Sequence, residues 1–273
     1  MTRVSVSTSL TASYSFNNDD IEAADRHSYL SQMLDGFTIS RLSELGDLTG
    51  RSVLEFGAGG GSVARWMVDQ VGPTGRVLAT DINPRHIPTY PGLEILRHDL
   101  VNEPVPAGPW DVIHGRLVLL HLPQREEILR RLVDSLAPGG ALVLEEWETT
   151  FRKLVLAAPD AESTDLLNLY QDVLVDRVLR AKGNDPTWAS RVHAVMLQAG
   201  LTDVDTNISA QSWSGGSAGA LLIAANIGQL REEFLEAGLT NAQLDDICRL
   251  VTDPRIVLRG HFTYSTIGRR AAT

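Results

Sequence analysis

The sequence predicts an α/β protein built on a doubly wound, mainly parallel sheet. Short apolar runs alternate with amphipathic stretches from Arg51 onward. A glycine-rich turn joins the first run to the first amphipathic stretch, and acidic residues mark the ends of three successive runs. Strands that alternate with helices pair in parallel through right-handed crossovers, which winds such a sheet in both directions.

In chain order, Leu30, Met33, Leu34 and Phe37 recur at helical spacing ahead of the first strand. Residues 52–56 read as a buried strand, followed by a helix with Val63, Met67 and Val71 on one face. Residues 76–80, 93–97 and 110–114 read as strands two to four. A helix starting near Pro123 carries Ile128, Leu132 and Leu136, stops at a turn over 137–140, and leads into a fifth strand at 141–145. The pattern then loosens. Leu167, Tyr170, Leu174 and Val178 predict a helix over 166–179, a second helix spans 188–198, and 202–209 is a strand. Thr240 with Gln243 is a capping-box signature for a helix carrying Leu244, Ile247 and Val251. Residues 262–267 read as the last strand. The chain is expected to form a single domain over 1–273, with a core at about 45–150, and with residues 1–44 and insertions within 151–260 covering it. An independent C-terminal domain is the alternative.

The 273 residues, 43% hydrophobic, suffice for a sizeable core. Thirty-four acidic against 24 basic residues give a net charge of −10, which weighs against nucleic acid as a partner. No stretch approaches the roughly 20 apolar residues of a membrane helix. Arg3 is followed by Ser and Thr instead of an apolar run, so no signal peptide is expected. Cys248 is the only cysteine. It excludes an intramolecular disulfide framework and fits a cytoplasmic protein. The seven histidines show no metal-binding spacing, so no metal is expected. The expected partner is a small molecule, and homo-oligomerisation is left open.

Val53-Leu54-Glu55-Phe56-Gly57-Ala58-Gly59-Gly60-Gly61-Ser62 carries most of the functional information. Glycine lets the backbone take positive φ and lets a ligand lie against it, in the crevice where open α/β sheets bind ligands. A dinucleotide fingerprint, G-x-G-x-x-G/A, places its third small position on Ser62, a departure. Glu55 would face a negatively charged pyrophosphate, but it suits a ligand bearing an ammonium and a sulfonium. Asp81, 20 residues beyond Gly61, can accept the hydroxyl protons of a ribose of either cofactor, and Asp99 an adenine amino group. Taken singly, the loop also reads as a tight turn and Asp81 as a surface turn before Asn83-Pro84.

Together these residues resemble the class I S-adenosyl-methionine-dependent methyltransferases, particularly bacterial small-molecule ones. The matching text is Glu55-x-Gly57-x-Gly59-x-Gly61, Asp81, His98-Asp99, the run from Trp110 to Pro123 (WDVIHGRLVLLHLP) and LAPGGALVLEE from Leu136 to Glu146. The resemblance is strong from Val53 to Glu146. It implies a Rossmann-like sheet of seven strands, the last antiparallel, and S-adenosyl-L-methionine as cofactor. The resemblance places Glu55 and the glycines Gly57, Gly59 and Gly61 near the methionine moiety, Asp81 on the ribose and Asp99 beside the adenine, with Ala58, Ser62, Ile82, His98 and Leu100 also in the implied cofactor-binding set. Gly115 and Arg116, after the fourth strand, line cofactor and substrate. The expected reaction is methyl transfer to oxygen, nitrogen or carbon of a small metabolite, with secondary metabolism as the expected setting. A rearrangement or elimination with the same cofactor, or an NAD-dependent oxidation, is the alternative.

His121 is the candidate general base, which would impose a pKa near 6–7 on the rate; the other reading is a helix-start histidine bonded to backbone. Tyr14, His27, Tyr29, Glu146 and Trp147 are candidate substrate residues. The acids Glu145, Glu146 and Glu148 also read as a solvated edge, Arg116 as an anchor for Glu146, and His114 as a residue pointing into the sheet.

Overall fold

A computed structural model describes residues 23–272. Strands β1 (Ser52–Phe56), β2 (Arg76–Asp81), β3 (Leu93–Arg97), β4 (Trp110–Arg116) and β5 (Leu136–Glu148) are mutually parallel where they pair. With β7 (Thr202–Ser209) and β10 (Phe262–Arg269) they form one seven-stranded sheet in the order β3-β2-β1-β4-β5-β10-β7. β10 lies antiparallel to both its neighbours, β5 and β7, as the resemblance implies. The winding reverses between β1 and β4, so a crevice opens at the carboxyl ends of those strands.

Period-two alternation sorts the strand side chains onto two covered faces. Val53, Val77, Val112 and Val143 pack with Val63, Met67 and Val71 of helix α2 (Ser62–Val71). Leu54, Leu78, Ile113 and Leu142 pack on the other face with Ile128 and Leu132 of α3 (Arg125–Asp134) and with Trp188 and Val192 of α5 (Trp188–Gln198). Helix α1 (Ala23–Ser43) sends Met33 and Leu34 into this second cluster and Leu42 into the first.

The structure departs from the sequence reading in several places; α3 ends at Asp134, so Leu136, expected on that helix, opens β5. The turn expected at 137–140 lies inside β5. Trp110 pairs with Leu136 but Val112 with Ala141, and the extra residues form a bulge in which Gly139 takes φ +75°. β4 runs two residues further than expected, so Gly115 and Arg116 belong to the strand. The helix expected over 166–179 starts earlier, as α4 (Ala161–Val173), because the Asp160 carboxylate accepts the Ser163 N–H at 2.8 Å; it continues as a π turn over Leu174–Leu179. Helix α6 (Ala218–Glu236) and a small antiparallel sheet of β6 (Val155–Ala157), β9 (Val257–Arg259) and β8 (Ser212–Ser214) were not anticipated.

The capping box at Thr240 and Gln243 opens α7 (Asn241–Leu250), as expected. Helices α4, α6 and α7 share a separate apolar cluster containing Tyr170, Phe234 and Ile247. α6 packs against α1, and α7 against both α4 and α6. Among the described residues no helix is long and apolar enough to cross a membrane.

Candidate active site

A cavity of about 1140 Å³, open to solvent at its mouth, lies at the crevice. Its floor is the turn from β1 into α2. Gly57, Gly59 and Gly61 there all hold φ between 55° and 71°, a region costly for residues with a Cβ. A Cβ on Gly57 would stand 2.3 Å from Val118 Cγ2, so glycine is required for space as well as conformation. His27 of α1 lies over Gly59 and Gly60 from the opposite side. Burial, aided by the charges of Arg26 and His86, lowers its pKa to about 4.

Glu55, Asp81 and Asp99 all line this cavity. Glu55 Oε2 is buried and meets no hydrogen-bond partner among the described residues. Asp81 accepts the Gly59 N–H at 3.0 Å and the Asn83 N–H at 2.9 Å. Burial raises its pKa against the pull of these donors. The Asp99 carboxylate is bound to its own loop, accepting from Val101 N, Asn102 N and Asn102 Nδ2 at 2.8–3.2 Å. Burial pushes its pKa up, but these bonds hold it below the ordinary value.

Ala58, Ser62, Ile82, His98, Leu100 and Arg116 also line the cavity. The His98 ring contacts Pro104 O through Nε2 at 2.9 Å. Gly61 and Gly115 do not line it. Gly61 turns the chain into α2, and Gly115 makes room for Phe56, whose Cζ would lie 2.0 Å from a Cβ there. Arg116 donates to Asp35 Oδ1 at 2.9 Å and to Thr38 Oγ1 at 2.8 Å, instead of anchoring Glu146.

A second cavity, of about 840 Å³, adjoins the first, and Arg26 and Leu117 line both. Its walls come from the cover and are mostly apolar, among them Met33, Trp147, Leu174, Trp213 and Leu222. Three of its π-turn residues, Leu174, Val175 and Leu179, face it; such turns occur frequently at functional sites. Leu117 sits at the junction with φ +56°, a conformation that costs of order 1–3 kcal/mol in a residue of this type and that clusters at functional sites.

His121 lines the second cavity and lies in a 3-10 turn over Leu119–His121, ahead of α3 rather than at its start. Its Nδ1 is 3.3 Å from Asn184 Nδ2. Burial, with the charges of Arg26 and Arg125, lowers its pKa to about 3, so the ring is neutral at ordinary pH and the expected titration near 6–7 does not arise from it. Thr149 Oγ1, Gln171 Nε2 and Asn184 Oδ1 are further buried lining atoms, with no hydrogen-bond partner among the described residues. Charged lining groups are Arg26 and Arg259, and no carboxylate lines the cavity among the described residues.

Of the five expected substrate residues, only Trp147 lines the second cavity. His27 belongs to the first, over the glycine turn. Tyr29 packs against the sheet core and lines neither cavity, and Tyr14 lies outside the described residues. Glu146 is 1% exposed and accepts the Leu119 N–H at 2.8 Å. It braces the loop after β4, and burial raises its pKa to about 8. Glu145 and Glu148 are buried too, so the end of β5 is no solvated edge. Arg26, Leu117, Gln171 and Asn184 were missed. Arg26 precedes a selected histidine by one position, but nothing in the helical pattern marks it as facing inward.

A family model described as "Methyltransferase domain" matches residues 29–244. Methyltransferase str2 of Strobilurus tenacellus is 40% identical over 112 residues, covering 38% of this chain and 39% of that protein. The ubiquinone/menaquinone biosynthesis C-methyltransferase UbiE of Pseudomonas savastanoi pv. phaseolicola is 30% identical over 125 residues, covering 42% of this chain and 49% of that protein. The similarity therefore spans less than half the length of either relative. Haemonchus contortus phosphoethanolamine N-methyltransferase 2, solved in complex with S-adenosyl-L-methionine, shares the fold with a TM-score of 0.55 at 12% identity, over 91% of this chain and 56% of that one. With the family model spanning most of its length, the chain belongs to the methyltransferase domain family, the class I S-adenosyl-methionine-dependent methyltransferases.

Proposed function

We propose that this chain transfers a methyl group from S-adenosyl-L-methionine to a small molecule held in the second cavity. The observation that carries this is the meeting of two cavities of different character at Arg26 and Leu117. The first fits the cofactor. Glu55 would hold the ammonium, its unpartnered oxygen being an acceptor in want of a donor. The bare glycine backbone would lie along the methionine moiety, Asp81 would accept from ribose hydroxyls, and Ile82, Asp99 and Leu100 would flank the adenine.

When bound, the cofactor supplies an electrophilic methyl on a sulfonium. The residues of this chain must then orient a nucleophile and exclude water. Walls from α1, α4 and α6 would shield an acceptor in the second cavity from water. Gln171, Asn184 and His121 offer hydrogen bonds to an acceptor with an apolar body. A basic aliphatic amine would enter as an ammonium, and no carboxylate among the described lining residues offsets that charge, so oxygen and carbon acceptors suit the cavity better than such an amine.

Incubation with methyl-labelled cofactor and a small-molecule extract is expected to yield S-adenosyl-homocysteine and a labelled organic product in equal amounts. Binding of NAD without binding of S-adenosyl-methionine or S-adenosyl-homocysteine refutes the proposal, as does S-adenosyl-homocysteine formed without a labelled organic product. With the acceptor so found, hydrogen exchange should slow in α1 up to Gly36 and in the helix–π-turn segment over 166–179, because these walls complete the enclosure. Protection confined to residues 53–99 would instead mean that the site stays open.

A further inference from the structure

Beneath the first cavity three ionisable side chains from adjacent strands meet. Glu55 of β1 and His114 of β4 are register partners, and Glu145 of β5 pairs with Arg116, two residues beyond His114 on the same face. His114 Nδ1 is 3.4 Å from Glu55 Oε1, and Nε2 is 3.6 Å from Glu145 Oε2. All three are buried, His114 and Glu145 completely.

We propose that His114, as an imidazolium shared between Glu55 and Glu145, is a positioning residue that offsets their charge and holds Glu55 aimed at the cofactor's ammonium. The proposal rests on the reading that Glu55 receives that ammonium. A neutral imidazole has one N–H and one lone pair. Between two carboxylate oxygens it would set a lone pair against one of them, whereas the doubly protonated ring turns a positive N–H edge to each; both contacts here are ion-pair distances, and neither ring nitrogen completes a hydrogen bond among the described residues. The three groups then carry a net charge of −1, and the ammonium brings the cluster to zero. Without the imidazolium, two buried carboxylates share one ammonium, and one of them must take a proton.

The surroundings agree with this. From α1, Thr38 Oγ1 donates to Glu145 Oε2 and accepts from Arg116, whose charge is already paired with Asp35 at 2.9 Å. Arg41 is paired with Glu44 and Asp205, and β10 presents the neutral Ser265 opposite Glu145. His114 is therefore the cation that touches both carboxylates. Burial alone would lower its pKa, but Glu145 and Glu55 raise it above the ordinary value; the Glu145 carboxyl is held low by His114 despite its own burial.

In the unmodified protein, nitrogen NMR of labelled histidines should show one imidazole that stays doubly protonated after every other ring has lost its second proton, with His27, His121 and His261 neutral first. Absence of an imidazolium that outlasts the other rings as pH rises overturns the proposal, whether or not the cofactor binds. By calorimetry, His114→Gln should bind S-adenosyl-homocysteine about 10- to 30-fold more weakly than the unmodified protein at pH 6.5. The deficit should shrink as pH rises and the carboxylates ionise. Adding Glu145→Gln to it should restore affinity to within about threefold, because Glu55 then ionises alone. A deficit that does not vary with pH, or a double variant no better than the single one, would make His114 a packing residue. Failure of the unmodified protein to bind S-adenosyl-homocysteine would instead remove the cofactor reading and leave the NMR result standing.

Discussion

Replacing Asp81 with Ala is expected to weaken S-adenosyl-homocysteine binding by about 1.5–3 kcal/mol, or roughly 10- to 150-fold, the scale for losing a charged hydrogen-bond partner. The structure adds a second reason for a large effect. Asp81 accepts the Gly59 N–H and so ties the end of β2 to the glycine turn on which the cofactor would lie. Asp81→Asn retains one acceptor oxygen and should fall between the two. Asp69→Ala is the control. Its carboxylate accepts from the Tyr90 hydroxyl at the exposed edge of α2, and its removal should change affinity by no more than about 0.5 kcal/mol. Equal small losses at Asp81 and Asp69 in calorimetric titration would refute the ribose role.

The parallel half of the sheet was legible because β1, β2 and β4 are buried on both faces, while the edge strand β3 is only partly covered. Residues 52–56 and 93–97 are bounded as the apolar pattern predicts, and the glycine turn marks the crevice between β1 and β4. The turn signal of APGG was misread for a local reason. A bulge needs the same glycine as a turn, and only the pairing with β4 tells them apart. α6 was missed because its first half, AGALLIAANIG, is apolar all round and offers no periodicity.

The cofactor side of the site was legible through charge. Three acids at three strand ends form a pattern that survives without coordinates, and all three line one cavity. The acceptor side was not. Arg26, Gln171 and Asn184 come from α1, α4 and the loop before α5, and nothing short of the folded cover brings them together. The direction of a buried acid was equally hidden, since Glu146 turns back to the Leu119 N–H while its neighbour Trp147 faces the cavity.

Replacing His121 with Ala is expected to leave S-adenosyl-homocysteine affinity within about threefold, because the ring lines the second cavity and not the first. Turnover should fall by about 10², the lower end of the range for acid–base groups. The low figure follows from burial. A ring whose pKa has dropped to about 3 is a weak proton acceptor, better suited to orienting a nucleophile by hydrogen bond than to deprotonating it. The sign of the pH effect is fixed by the same shift. A histidine with a depressed pKa is neutral throughout the range above about pH 4, so the rate should show no His121 limb between pH 5 and 8. His121→Gln, which keeps a hydrogen-bonding group without a basic nitrogen, should recover much of the lost turnover. A rate limb near pH 6–7 that disappears in His121→Ala, together with no recovery in His121→Gln, would show that His121 is a general base after all. A lowered Tm with unchanged turnover would reduce it to a packing residue and leave acceptor alignment to Gln171 and Asn184.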